Sequence, residues 1–365
     1  MPQDRNHRVK IADIAQRAGV SAGTVDRVLH NRGEVSDKTR MKVERIIREM
    51  NYEPDLLAST LASKKNYLFA SVIPEPSPTN LFWYQPVMGL EKAFKRVKHY
   101  GVEYRSFFFD YYSKDSFRDC LQHLLELRPD GIMLAPLYAD LTEQFVGKAK
   151  ELGIAVVFIN THVPNLPNLA FVGQDAFRSG LVAAQLLDLC ACCPDETEIV
   201  VVNIMSEKGG SAHLMSREEG FRSYFSQKST HQPSIISLNV QENSSPEIRE
   251  ALRQGLLDKN GKLRAKGIFA TNSRVYHVAG FLEEVGKGNT RLIGYDLLER
   301  SITHLHKGNI DFLISQNPVA QGYNSFMALF DALVLKKEVE KFQYLSIDII
   351  TRENIDYYLN QPVHE

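Results

Sequence analysis

The sequence predicts a small all-α headpiece containing a helix-turn-helix, followed by a two-lobed α/β body built on doubly wound parallel sheets. Three observations support this prediction. The chain has 365 residues, which is too long for one typical domain. Apolar residues recur at helical spacing between residues 11 and 50. From residue 67 onward, short apolar runs alternate with amphipathic helical stretches, as in folds with helices on both faces of parallel sheets.

Residues 11–31 predict two short helices joined by a tight turn. The apolar positions of the first helix share one face and are Ile11, Ile14, Ala15 and Ala18. Gly19 suits a left-handed turn, and Ser21 can cap the second helix through its hydroxyl. Such a pair of helices is a helix-turn-helix, whose second helix can lie in the major groove of DNA. An ordinary helical hairpin fits this pattern alone equally well.

The next segments decide between these two readings. Ser36 is the predicted N-cap of a third helix, and residues 56–62 form a short segment after Asn51–Asp55. Four motifs occur in order, namely Gly-Thr-Val-x-Arg-Val-Leu-x-Asn, Val-Ser-x-x-Thr-Arg, Asn-Tyr-x-Pro and Ala-x-x-Leu-Ala. This run resembles the DNA-binding headpiece and hinge of LacI/GalR-family transcription regulators.

The resemblance implies a set of DNA-contacting residues, which are Ala22, Gly23, Thr24, Arg27, Asn31, Ser36, Thr39, Tyr52 and Leu61. Arg27 is the best candidate for a bidentate contact with guanine, because neither Ala22 nor Gly23 can form one. Asp26 departs from the family pattern, which has a small hydroxyl residue there. Leu61 matches the residue that wedges between base pairs in the minor groove when the hinge helices pair.

Charge and composition agree with a nucleic-acid contact confined to the headpiece. The whole chain has a formal net charge of −1, but residues 1–65 hold 13 Lys and Arg against 9 Asp and Glu. The N-terminus lacks the apolar core of a signal peptide, and no run is long enough for a membrane helix. Cys120 stands alone, and Cys190, Cys192 and Cys193 have no second ligand cluster. A cytoplasmic protein with no metal and no cofactor is therefore expected.

Eleven strands are predicted in the body, which is too many for one sheet and indicates two lobes. They are Leu68–Ile73, Glu103–Phe109, Gly131–Ala135, Ala155–Ile159, Leu169–Val172, Ile199–Ile204, Ile235–Val240, Gly267–Ala270, Arg291–Gly294, Phe312–Ser315 and Leu345–Ile350. The predicted divisions are a headpiece at 1–54, a hinge and linker at 55–66 and a body at 67–365. Within the body, the N-lobe takes about 67–191 and 318–343, and the C-lobe takes about 195–316 and 345–365.

The body is similar to the sugar-binding, periplasmic-binding-protein-like (type I) effector domain of the LacI/GalR family. This similarity implies a ligand in the cleft between the lobes, beyond the carboxyl ends of the strands. The matching positions are Asn80, Phe82, Trp83, Asn160, Arg217, Asn272, Asp296 and Gln316. Aromatic rings can stack on sugar faces, while charged and amide groups bond hydroxyls. Asn160-Thr161 departs from the Asp-Arg pair that sugar binders often carry, so the ligand class stays open.

The expected function is sequence-specific transcriptional regulation, as a repressor that binds a double-stranded DNA operator. Its operator affinity would be controlled by a small molecule, such as a sugar or related polyhydroxy metabolite. A homodimer is expected because one headpiece reads one half-site of a palindrome, and the protein would associate with the nucleoid when bound to DNA. The alternative is a solute-binding receptor for carbohydrate uptake. An enzyme is not expected, since the sequence has no nucleophile elbow, P-loop or metal motif.

Overall fold

The computed structural model of the chain divides into two compact units, Met1–Lys65 and Asn66–Glu365. The described residues are 9–29, 33, 35–50, 65–78, 81–191, 198–205, 212–227, 232–242 and 244–359. The predicted hinge lies almost wholly outside them, as do Cys192 and Cys193. Among the described helices, none has the length and apolar character that crossing a membrane requires.

The headpiece consists of three helices, α1 (Ile11–Ala18), α2 (Ala22–Leu29) and α3 (Asp37–Glu49). Their apolar faces meet in one core, which contains Ile14, Ala15, Ala18, Val25, Val28, Val43 and Ile46. Gly19 ends α1 with φ 64°, the left-handed conformation that the sequence predicts. Ser21 Oγ accepts a hydrogen bond from Thr24 N at 3.1 Å, and Ser36 Oγ accepts one from Thr39 N at 3.4 Å. The helix-turn-helix geometry is thus fixed by these turn and cap residues.

The body carries twelve strands among its described residues. Their bounds are Tyr67–Pro74 (β1), Val102–Phe109 (β2), Gly131–Leu134 (β3), Ala155–Ile159 (β4), Ala170–Gly173 (β5), Glu198–Met205 (β6), Ser234–Gln241 (β7), Gly267–Ala270 (β8), Arg291–Tyr295 (β9), Phe312–Ser315 (β10), Phe342–Tyr344 (β11) and Asp348–Ile350 (β12). Several are continuous apolar runs that are buried on both faces, as is typical of parallel strands covered by helices.

Helices connect these strands. Their bounds are Tyr84–Val97 (α4), Lys114–Leu127 (α5), Ala139–Glu151 (α6), Ala176–Ala191 (α7), Ala212–Ser226 (α8), Ser245–Leu256 (α9), Val275–Val285 (α10), Glu299–His306 (α11), Pro318–Leu329 (α12) and Ile355–Leu359 (α13). Short helical turns occupy Leu81–Trp83, Lys98–Tyr100 and Phe330–Val334.

Two six-stranded sheets form the two lobes. The first has the order β11-β5-β4-β3-β1-β2 and the second has the order β12-β10-β9-β8-β6-β7. All pairings are parallel except that of β12 with β10. The prediction of doubly wound parallel sheets in two lobes is therefore confirmed.

The chain passes between the lobes three times, and Gln174 ties the three passages together. Its Nε2 donates to Ser315 O at 3.0 Å and to Ser346 O at 3.1 Å, so one buried amide holds all three crossing segments. The third passage divides the predicted strand Leu345–Ile350, because the chain leaves the first sheet after β11 and enters the second as β12.

Helix α7 belongs to the second lobe, although the sequence-based boundary places its residues in the first. Its side chains Ala183, Ala184 and Leu187 pack in one core with strand residues of the second sheet, including Ile199 and Phe269. The first passage between lobes therefore lies near Gln174, before the helix. A helix that follows a strand can cover either sheet, and its apolar face alone does not say which.

Each lobe contains a pair of helices that touch through reciprocal glycines. In the first lobe, a Cβ on Gly89 or Gly322 would lie 2.0 or 2.1 Å from a carbonyl oxygen of the facing helix. In the second lobe, a Cβ on Gly180 of α7 or Gly220 of α8 would each lie 2.0 Å from a facing carbonyl oxygen. Only glycine permits this approach of backbones. The second pair fixes α8, the helix that carries Arg217, against its neighbour.

Candidate functional site

A cleft lies between the two lobes at the carboxyl ends of the strands. The first lobe supplies Phe82, Trp83, Tyr111, Leu137 and Asn160, and the rest of the lining is His213, Leu214, Arg217, Asn272, Ser273, Arg274, Asp296 and Gln316. Seven of the eight predicted ligand positions are brought together here. The eighth, Asn80, lies outside the described residues. The topology therefore gathers residues from distant parts of the sequence, as the strand alternation predicts.

Arg217 is at the centre of a buried polar network. Its guanidinium lies 3.7 Å from the centroid of the Tyr295 ring, which it stacks upon. Arg217 Nη1 donates to Thr271 O at 2.7 Å, and Nη2 donates to Gln316 Oε1 at 2.5 Å. Gln316 Nε2 then donates to both carboxylate oxygens of Asp296, at 3.1 and 2.9 Å. The network aligns a cation, an amide and a carboxyl group along one wall of the cleft.

The carboxyl group of Asp296 titrates near neutrality. Burial raises its pKa to about 7, although the charge of Arg217 and the hydrogen bonds from Gln316 act in the opposite direction. Burial also raises the pKa of Tyr295 and lowers that of Arg217. At neutral pH, Asp296 therefore exists in both protonation states, so its oxygens can donate to or accept from a ligand hydroxyl.

The two asparagines of the cleft are engaged by protein groups. Asn272 Nδ2 donates to Ile204 O at 2.6 Å, and its Oδ1 accepts from Arg274 N at 3.1 Å. Asn160 has φ 68°, and its Nδ2 donates to Gln321 Oε1 at 3.3 Å. These bonds hold both side chains in fixed orientations at the cleft, and each carbonyl oxygen still has a lone pair for a ligand.

Arg274 lines the cleft but was not among the predicted ligand positions. It is the N-cap residue before α10 and forms an ion pair with Glu242, and both side chains are about nine-tenths buried. Its guanidinium lies 5.5 Å from the ring centroid of Tyr111 in the first lobe, so it links the two lobes. Its place two residues after Asn272, in a loop that follows a buried strand, was the available signal.

His213 was also missed, and it contacts the first lobe as well. Its Nδ1 lies 3.3 Å from Thr161 Oγ1. Burial and the positive charges of Arg217 and Arg274 lower the His213 pKa to about 3. The imidazole is therefore neutral under ordinary conditions and lies in the field of two guanidinium groups.

The predicted DNA-contacting residues of the headpiece lie on α2 and at the start of α3. Ala22, Gly23 and Arg27 are exposed on α2, opposite the buried Val25 and Val28. Thr24 Oγ1 lies 2.9 Å from Ser21 Oγ, and Thr39 Oγ1 lies 2.9 Å from Ser36 Oγ, so these hydroxyls also stabilise helix starts. Asn31, Tyr52 and Leu61 lie outside the described residues.

Models of known protein families match both the headpiece and the body. The model of bacterial regulatory proteins of the lacI family matches residues 10–55, and that of the periplasmic binding protein domain matches residues 69–338. The HTH-type transcriptional regulator DegA of Bacillus subtilis (strain 168) is 30% identical over 267 residues, which is 73% of each chain. The chain belongs to the lacI family of bacterial regulatory proteins. The sucrose operon repressor of Pediococcus pentosaceus is 27% identical to it over 59% of this chain and 60% of that protein.

Solved structures agree with the lacI-family assignment. A proposed LacI transcriptional regulator from Bacteroides fragilis has a TM-score of 0.71 and 34% identity, covering 80% of this chain and all of that one. GanP, a glucose-galactose binding protein from Geobacillus stearothermophilus, has a TM-score of 0.68 and 22% identity, covering 80% of this chain and 99% of that one. The second similarity concerns the fold of the body.

Proposed function

We propose that this lacI-family protein is a transcriptional repressor whose affinity for its operator is controlled by a carbohydrate bound between the lobes. The observation that supports this proposal is a cleft with aromatic residues on one lobe and convergent polar groups on the other, in a chain with a helix-turn-helix headpiece. The relatives include repressors of sucrose operons, which supports a carbohydrate as the effector. The protein acts by binding, without a catalytic step.

The proposal includes a homodimer in the cytoplasm that binds two half-sites of a palindromic operator. The effector contacts both lobes, so it favours one degree of lobe closure over another. That change would reach the DNA through the spacing of the two hinge segments, and Leu61 is the proposed minor-groove wedge. The lobes would move relative to each other about the three interlobe passages that Gln174 holds together.

A selection from random duplexes with the full chain, followed by fluorescence anisotropy, tests the proposal. We expect a palindromic sequence to be enriched and its binding to weaken steeply as salt rises, because phosphate contacts release counterions. A carbohydrate that binds the cleft should change the affinity for this duplex. A solute-binding receptor would bind the carbohydrate and show no sequence-selective DNA binding.

Replacement of Arg27 by alanine should weaken operator binding by about 1–3 kcal/mol, because Arg27 is the side chain on α2 that can pair with a guanine. Binding to a scrambled duplex should fall much less. Arg45→Ala is the matched control, since it removes another exposed positive charge of the headpiece, from α3. Anisotropy titrations of both variants on both duplexes measure the effect. Equal losses on the two duplexes for Arg27→Ala would show that Arg27 contacts only the backbone.

A further inference from the structure

We propose that the effector is an anionic carbohydrate, a sugar that carries a carboxylate or phosphate group, and that Arg217 and Arg274 together hold that group. This inference rests on the proposed function, since it names the chemical class of the ligand for the same cleft. Two guanidinium groups line this one cleft, and each has a buried nitrogen with no acceptor among the described residues.

Arg217 forms no direct ion pair with any residue that the structure describes. Among the described residues its terminal nitrogens donate to the neutral oxygens of Thr271 and Gln316, and Nε has no acceptor. A buried cation without a counter-ion is costly, because the protein replaces only part of its hydration. An anionic group on the ligand would supply the missing counter-ion and an acceptor for Nε.

Asp296 balances this charge only in part. It is the carboxyl group that lines the cleft in the described part of the chain, and Gln316 separates it from Arg217 in the hydrogen-bond network. Burial raises the Asp296 pKa to about 7, so a large fraction of molecules carry it uncharged at neutral pH. If the ligand were a neutral sugar, the positive charge of Arg217 would remain only partly balanced by negative charge.

Arg274 adds a second donor to the same cleft. Glu242 pairs with its Nε and the Tyr112 side chain also hydrogen-bonds the guanidinium. Nη2 is buried and makes no hydrogen bond among the described residues. Glu242 itself does not line the cleft. Arg217, Arg274 and the neutral imidazole of His213 line the same cleft, so both guanidinium groups are available to one ligand.

The remaining walls suit the carbohydrate part of such a ligand. Phe82 and Trp83 are buried and meet edge to face, with ring centroids 5.2 Å apart. Aromatic faces of this kind stack on the apolar faces of sugar rings. Hydrogen bonds from guanidinium groups to carboxylate or phosphate are charge-assisted, and they are stronger than bonds to a neutral hydroxyl. The cleft therefore favours a ligand that joins a sugar ring to an anionic group.

Titrations with matched sugars test the inference. Trp83 is the only tryptophan in the chain and lines the cleft, so its fluorescence reports binding there. The probes are D-galacturonate and D-glucuronate for the carboxylate class, D-glucose 6-phosphate for the phosphate class, and D-galactose and D-glucose as neutral parents. We expect at least one anionic sugar to bind about tenfold or more tightly than its neutral parent.

The outcomes separate this inference from the proposed function. Neutral parents that bind as tightly as the anionic sugars would overturn the inference and leave a carbohydrate-controlled repressor. If none of the sugars binds, while the operator is still bound selectively, the inference and the carbohydrate effector both fail and the DNA-binding function stands. If inorganic phosphate alone binds as tightly as D-glucose 6-phosphate, the cleft holds a simple anion site. That result would also contradict the inference.

The double variant Arg274→Gln/Glu242→Gln removes the second guanidinium without leaving Glu242 as a buried unpaired charge. It should lower affinity for the anionic sugar about tenfold or more, and by clearly more than it lowers affinity for the neutral parent. The matched control is Arg264→Gln/Glu198→Gln, which removes a partly buried ion pair of the same lobe away from the cleft. Equal losses for anionic and neutral sugars would assign Arg274 a purely structural role and overturn its part in the inference.

Discussion

Replacement of Gly180 by alanine is expected to destabilise the body and to weaken ligand binding in the cleft. The new Cβ would lie 2.0 Å from the carbonyl oxygen of Arg217 and 2.9 Å from the backbone nitrogen of Phe221. Both neighbours are backbone atoms, so helices α7 and α8 must separate. Overpacking of this kind costs about 1–3 kcal/mol of the free energy of unfolding.

The displacement of α8 should also reach the cleft, because this helix carries Arg217. The guanidinium is held by Thr271 O, the Gln316 side chain and the Tyr295 ring, which belong to other elements and would not move with α8. Loss of one charge-assisted hydrogen bond should lower ligand affinity about tenfold or more. Urea unfolding and ligand titration, both followed by Trp83 fluorescence, measure the two effects.

Two other glycines provide controls for this variant. Gly147 lies on an exposed face of α6, where an added methyl group would meet no atom within 4 Å outside its own turn of helix, so Gly147→Ala should stabilise the protein by up to about 1 kcal/mol. Gly89→Ala creates the same clash in the first lobe, against Val319 and Tyr323, neither of which lines the cleft. It should destabilise the protein with a smaller loss of affinity. Equal affinity losses for Gly89→Ala and Gly180→Ala would contradict the proposed route through Arg217.

The sequence predicts the strands and most cleft positions because each depends on a local pattern. A short apolar run followed by a polar loop is visible along the chain, and the carboxyl ends of parallel strands meet at one edge. Asn272, Asp296 and Gln316 follow this rule, whereas Arg217 lies within α8 and is expected only from the resemblance to the family. The structure places all four in one cleft. Gly19 likewise predicts its left-handed turn from its own residue type.

Features that depend on distant partners were not visible in the sequence. The role of Arg274 requires Glu242 on another strand and Tyr111 in the other lobe, and no periodicity links these residues. The lobe to which α7 belongs depends on which sheet its apolar face meets. The predicted strand Leu345–Ile350 is interrupted because the chain leaves the first sheet after β11 and enters the second as β12. The residues before and after this crossing are all compatible with a strand, so the sequence pattern does not reveal it.

The free energy of unfolding should depend on pH in the way expected of a carboxyl group, that of Asp296, which is partly protonated in the folded protein near neutral pH. Its pKa is raised from 3.8 to about 7 in the folded protein, so between these values the folded state binds more protons than the unfolded state. The stability contributed by Asp296 is therefore complete below about pH 4 and is lost as the pH rises to 7. At one pKa unit per 1.36 kcal/mol, the loss is about 4 kcal/mol.

Comparison of the wild type with Asp296→Asn isolates this effect from the titration of two histidines. Burial, together with nearby arginines, lowers the pKa of His213 to about 3 and that of His277 to about 4. Since their folded pKa values are lowered, both histidines make the protein more stable as the pH rises from about 3 to 6.5, which opposes the Asp296 effect in the wild type. Neither histidine is acted on by Asp296, so their contributions cancel in the difference between the two proteins.

Urea unfolding between pH 4 and pH 8 should therefore show Asp296→Asn gaining about 4 kcal/mol relative to the wild type. Asp258→Asn is the control, because Asp258 is exposed and backbone hydrogen bonds from Lys262 and Asn260 lower its pKa. Its difference from the wild type should be flat above pH 5 and change only at lower pH, with the opposite sign. A flat difference for Asp296→Asn over the same range would mean that Asp296 stays ionised when folded, and Arg217 would then have its counter-ion within the protein.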